Sequence, residues 1–182
     1  MADEDKKIAR NIGHTRPLEE THPHLMGFVE FLGEFNKETA RGAALAAGAF
    51  LDDLLGAIIN AFLVLNDSRR KLTDGFNAPL GTLSARIAAC HAMGLISDGE
   101  ARECELVRKV RNEFAHKVKM SFDDEKVRGL CSLMTMSAKS YPGVNVDARG
   151  QFTTAAVALI LDLTNRPHYV SQQALKYQNW KI

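Results

Sequence analysis

The sequence predicts an all-α fold: a compact multi-helix bundle built round one long central helix. Three observations carry this reading. Apolar residues recur at the three- and four-residue spacing of a helix face along most of the chain. Start and stop signals divide these stretches, among them Ser97 with Glu100, Asp74-Gly75, Gly94 and Pro167. No pair of segments alternates apolar and polar residues as strands do, so no parallel sheet for a nucleotide fold is expected.

Taken in order, residues 1–20 are polar, charged and aperiodic, and read as a flexible N-terminal lead. Residues 21–182 read as a single all-helical domain. In its first segment Leu25, Phe28, Phe31, Leu32 and Phe35 fall at helical spacing. The stretch from Thr39 to Leu65 reads as the long central helix. Leu51, Leu54, Leu55, Ile58, Ile59 and Phe62 leave it only a narrow polar face, broken by Asp52 and Asp53. Gly42, Gly48 and Gly56 predict close helix contact there, at a propensity cost of about 1 kcal/mol each.

Asn66-Asp67-Ser68 and Asp74-Gly75 read as breakers, with Pro79 at the start of a helix over about 80–93 that Gly94 closes. Ser97 and Glu100 form a capping box for a helix running to about 117, with Leu106, Val107, Val110, Phe114 and Val118 as its stripe. Ser121 and Asp124 repeat the signal before a helix over about 122–137. A loop of about a dozen residues follows, then a helix over 149–164 with Ala155, Ala156, Leu159, Ile160 and Leu163 inward. Asn165-Arg166-Pro167 stops it, and the tail is left as a short helix or part of an interface.

Composition narrows the function classes. The 182 residues are 46% hydrophobic and 25% charged, the balance of an ordinary globular domain. A net charge of +1 argues against binding nucleic acid by bulk charge, though a local basic patch such as Arg69-Arg70-Lys71 leaves direct DNA or RNA binding open. Cys90, Cys104 and Cys131 are widely spaced and read as buried free thiols in a reducing, cytoplasmic setting. No metal-ligand spacing or cofactor motif is present. His22 and His24 flank Pro23 without further ligands. The apolar run near 43–65 contains Asp52, Asp53 and Asn60 and makes a poor membrane span. The loop Phe76 to Thr82 reads as a capping loop, with an anion cradle as its sharper alternative. One of the adjacent Asp52 and Asp53 is expected to meet Arg86 or Arg111.

The string VRKVRNEFAHKVK carries the most chemistry. Asn112 and His116 are four apart and share a helix face, and Arg111 lies about 140° round from His116 at roughly 100° per residue. Histidine moves protons near neutrality, arginine braces a developing phosphoryl charge, and RNA supplies its own 2′-hydroxyl nucleophile. A structural alternative stands beside this: a histidine near a helix end serves the last carbonyls, and an asparagine bonds a neighbouring turn.

Four strings in order, RGAALAAGAFLDDLL, FNAPLGTLSARIAACHAMGLIS, VRKVRNEFAH and SFDD, resemble the mannitol operon repressor family between Leu45 and Phe122. That resemblance implies a helical regulator of mannitol genes with no standard DNA-reading module, acting through protein–protein contacts. Direct DNA binding as a repressor is the alternative within it. The RNEFAH string also resembles HEPN domains, helical bundles that often dimerise. There an arginine, a following polar residue and a downstream histidine form a metal-free ribonuclease site at the dimer cleft. The matching residues are Arg111, Asn112 and His116. The resemblance and the long apolar helix together imply a HEPN-like bundle, a homodimer and a protein partner.

Overall fold

A computed structural model describes residues 17–117 and 119–181. Most of the expected N-terminal lead, residues 1–16, lies outside them, as does Val118. The described part of the lead departs from a shapeless segment: Leu18–Thr21 forms one helical turn, α1, followed by a 3-10 turn at Pro23–Leu25.

The remaining elements are α2 (Met26–Phe35), α3 (Ala40–Phe62), α4 (Asp67–Thr73), α5 (Leu83–Ala92), α6 (Asp98–His116), α7 (Glu125–Ser132), α8 (Ala148–Thr164) and α9 (Arg166–Ser171). The all-α expectation is borne out, and α3 is its long central helix. It packs against α2, α4, α5, α6, α8 and α9, while α7 joins the bundle through α6 and α8.

Local chemistry sets each boundary. The Thr39 hydroxyl accepts from the Gly42 N–H at 3.0 Å and starts α3. α3 stops at Phe62, three residues before the expected end, because Leu63 turns to extended backbone. Its buried set is Ala43, Ala44, Ala47, Gly48, Leu51, Leu55, Gly56, Ile58 and Ile59. The exposed positions Ala49, Asp53 and Ala57 recur every four residues and form the narrow outer face. By length and composition alone α3 is apolar enough to cross a membrane, the one such helix among the described residues. Half of that window is buried inside the fold.

Three boundaries differ from expectation. Asn66 does not simply break the chain: its side chain accepts from the Arg69 N–H at 2.9 Å and caps the short helix α4. Pro79 does not start α5. The Thr82 hydroxyl takes the Ala85 N–H at 3.2 Å, so the helix begins at Leu83. Ser121 is not a helix cap either. It folds a turn with Asp123 and Asp124, and α7 begins at Glu125 and ends at Ser132, well short of 137. The last difference has a tertiary cause. The buried Glu103 carboxylate on α6 accepts from the backbone N–H of Thr135 and, at 3.2 Å, from that of Met136. Those donors are lost to any continuing helix.

Ser97 and Glu100 do form the full capping box of α6. Gly94 adopts φ 69°, the left-handed conformation that lets the chain reverse after α5. Phe114 of α6, Phe122 and Phe152 of α8 then form an aromatic ladder, with ring centroids 4.9 and 5.3 Å apart. Phe114 and Phe152 are fully buried, and each such side chain contributes about 1.5–3 kcal/mol.

Candidate functional site

The site grows out of the contact between α3 and α6. At Gly48 of α3 a Cβ would stand 2.7 Å from the Arg111 Cγ. The missing side chain lets the Arg111 stem lie flat across α3. Gly56 plays the same part for Arg86, whose guanidinium carbon would meet a Cβ there at 3.2 Å. The close helix contact expected of these glycines is made through arginines: Gly48 admits the Arg111 stem from α6, and Gly56 the Arg86 guanidinium from α5.

Arg86 is the organising cation. It pairs with the Asp52 carboxylate at 3.0 Å and donates to the carbonyls of Leu80 and Asp52 at 2.9 and 3.0 Å. Of the two expected partners for the aspartate pair, Arg86 is the one engaged, and Asp52 is the aspartate it takes. Asp53 is exposed.

A cleft of about 450 Å³ opens beside this clamp. Gly48, Ala49, Asp52 and Asp53 of α3 form one wall, and Arg108, Arg111 and Asn112 of α6 form another. Residues 81–84, at the start of α5, close the third side. Glu105 holds Arg108 by hydrogen bonds at 3.2, 3.1 and 2.8 Å. Arg111 donates to the Asn112 amide oxygen at 3.1 Å, which orients the asparagine's own N–H groups. A planar cation beside an amide suits a carboxylate or phosphate oxygen.

His116 is not brought into the cleft. It is the last residue of α6, exposed, one turn beyond Asn112 and outside the cleft lining. Among the described residues it forms no hydrogen bond or ion pair, so it does not serve the last carbonyls of α6. Arg41 donates instead to the carbonyl of Lys117, the residue that follows α6. On the flank of α6, Glu113 pairs with Lys126 at 2.5 Å and Lys117 at 3.0 Å. Hydrogen bonds from Lys126 first, then Lys117, hold its carboxyl below the ordinary range.

Two groups escaped sequence reasoning. Glu103 is fully buried in the middle of α6, where a glutamate normally marks the outer face. Arg166 pairs with Glu100 at 2.5 Å and donates to the Leu95 carbonyl at 2.8 Å, tying α9 to the start of α6. Nothing local announces either partner. Cys90, Cys104 and Cys131 are buried free thiols, as expected. Burial pushes Cys90 and Cys131 up to about 12, and Cys104 higher still. No group of three or more His, Cys, Asp or Glu side chains is placed to hold a metal among the described residues.

Fold and cleft together define an all-helical bundle whose central helix is clasped by two arginines. The same fold occurs in a chain of the X-ray structure of the MtlR-HPr complex from Escherichia coli, at a TM-score of 0.56 and 23% identity. The match covers 78% of this chain and 96% of that one. No family model and no curated protein sequence matches.

Proposed function

We propose that this protein is a transcriptional regulator of the mannitol operon repressor kind that acts by docking a protein partner. The observation that carries this reading is the fold shared along nearly the whole length of the chain from the MtlR-HPr complex. MtlR is there in complex with HPr, so HPr is the first partner to test. The near-neutral charge favours protein contact over a broad hold on duplex DNA. A cytoplasmic setting goes with three unpaired, buried thiols. Titration of the purified protein with HPr in a calorimeter is expected to give saturable, micromolar heat. A flat titration, together with tight sequence-specific binding of mannitol promoter DNA, sinks the partner model in favour of direct repression.

A second reading, a metal-free HEPN-type ribonuclease, is favoured by one observation: Arg111 and Asn112 sit together in the cleft. His116 lies outside that cleft, so the reaction needs a homodimer in which a second copy brings its histidine to the site. Such an enzyme cleaves RNA in the presence of chelator, and an Arg111→Ala/His116→Ala variant that keeps its helical spectrum loses the activity. Intact RNA after prolonged incubation with the dimeric protein leaves the trio without a catalytic role.

A further inference from the structure

The chain carries its amphipathic aromatics in an unusual place. It has one Trp and three Tyr, and the Trp and two of the Tyr fall after residue 165. Residues 163–182 contain Arg166, Lys176 and Lys181 and no Asp or Glu. Arg166 is spent on Glu100. Lys176 and Lys181 form no ion pair among the described residues, and they bracket Tyr177 and Trp180.

This tail is held, not loose. After α9 the backbone leaves helical form, and the Leu175 N–H donates to the Phe62 carbonyl at the end of α3 at 2.7 Å. The Asn66 amide donates to the Tyr177 hydroxyl at 3.0 Å. Asn66 is also the cap of α4, whose outer face carries exposed Arg70 and Lys71 one turn further on. One residue therefore joins the aromatic tail to the basic helix. Leu65, next to Asn66, is 79% exposed, as is Tyr177, and Trp180 further along the tail is 84% exposed. Tyr177 is pinned by its hydroxyl, and Trp180 follows three residues later with its ring almost wholly in solvent.

From this juxtaposition of stacking faces and unpaired cations we infer that the C-terminal tail and α4 form a binding surface for single-stranded nucleic acid. Tyr177 and Trp180 lie three residues apart in a non-helical segment, a span of up to roughly 10 Å, so separate bases can stack on them. Lys176, Lys181, Arg70 and Lys71 supply the charge that follows a phosphate backbone. Gln178 and Asn179 lie between the aromatics and offer hydrogen bonds to base edges. A membrane surface calls for contiguous apolar side chains at that point, and these amides interrupt them. Asp67 and Asp74 share a groove with Arg70 and Lys71, so the local positive excess rests on the tail, where no acidic side chain offsets Lys176 and Lys181. The inference stands apart from the regulator and ribonuclease readings.

Trp180 is the only tryptophan, so its fluorescence reports on the surface directly. The full chain is titrated with short oligouridine and oligothymidine strands at low and moderate salt, beside anionic phosphatidylserine vesicles. Quenching that saturates with either strand, and weakens as salt rises, is the expected result; the stronger of the two says whether RNA or DNA is preferred. Binding of dye-labelled strands, read by anisotropy, is expected to weaken at least about fivefold in Trp180→Ala and in Tyr177→Ala. In Arg70→Ala/Lys71→Ala the salt slope is expected to fall by about 0.7 per lost phosphate contact. Absence of quenching at low salt overturns the inference. So does binding that these variants leave unchanged, or quenching by vesicles but not by strands, which assigns the surface to lipid.

Discussion

Arginines lying on glycines, Arg111 by its stem and Arg86 by its guanidinium, are the residue-scale feature on which the cleft depends. Gly48→Ala puts a methyl group into the space of the Arg111 Cγ, an atom too near the backbone to swing away freely. Overpacking of this kind costs about 1–3 kcal/mol. Equilibrium denaturation is expected to show that loss, and the cleft is expected to lose its Arg111–Asn112 contact. Arg86→Ala has a different cause, because it strands a carboxylate. Asp52 is only partly exposed and Arg86 less so, and the carbonyls of Leu80, Asp52 and Thr73 each lose a donor as well. A loss of about 2–4 kcal/mol is expected in the same measurement, most of it the penalty of the unpaired Asp52.

Glu100 links the same scale to pH. Burial alone raises its carboxyl, but the hydrogen bonds from Arg166 and Ser97 outweigh burial and bring it below its ordinary 4.5. A carboxyl depressed in the folded state stabilises the fold in full above the unfolded value. That share is lost as pH falls from 4.5 through the folded value. Wild-type stability is therefore expected to drop through this acid window, and a Glu100→Gln variant, weaker at neutral pH, to show a shallower acid limb. Parallel limbs in the two proteins would falsify the linkage.

Among the elements, the end of α7 is the one that tertiary contact decides. The periodicity of residues 122–137 suits a longer helix, yet the chain leaves helical form after Ser132. Glu103 reaches from α6 and gathers the Thr135 hydroxyl at 2.5 Å along with the two backbone donors. Glu103→Ala leaves those donors without a partner, at about 1–3 kcal/mol for each buried group. Hydrogen exchange is expected to quicken at Thr135 and Met136 while the core of α3 stays protected. Uniform loss of protection across the bundle would show instead that Glu103 supports the whole fold. α4 and α5 have the opposite character. Their caps, Asn66 and Thr82, are local, and a closer reading of those two side chains finds both helices.

For the whole molecule, burial of all three cysteines predicts thiol silence. A disulfide-exchange reagent is expected to react only after denaturant unfolds the bundle, because burial in apolar surroundings disfavours the thiolate of Cys90, Cys104 and Cys131. Rapid reaction of one thiol in the native protein identifies a region that opens locally. Light scattering addresses the proposed homodimer. The ribonuclease reading needs a dimer at micromolar concentration, whereas docking of a protein partner does not.

The sequence by itself determined the fold class and the order of the main helices. Those follow from spacing of apolar residues and from caps such as Ser97 with Glu100, and both act within a few residues of chain. It also made Asp52, Arg86, Arg111 and Asn112 visible as polar residues on helices with an apolar stripe. Only the tertiary structure decided which aspartate meets Arg86, that Gly48 seats Arg111, and that His116 ends outside the cleft. It alone placed Glu103 against residues 135–136 and the tail against Asn66. The physical reason is range. Helix periodicity and capping are local, whereas an ion pair or a cleft depends on how separate helices come together, and that distance is not written in the spacing of either.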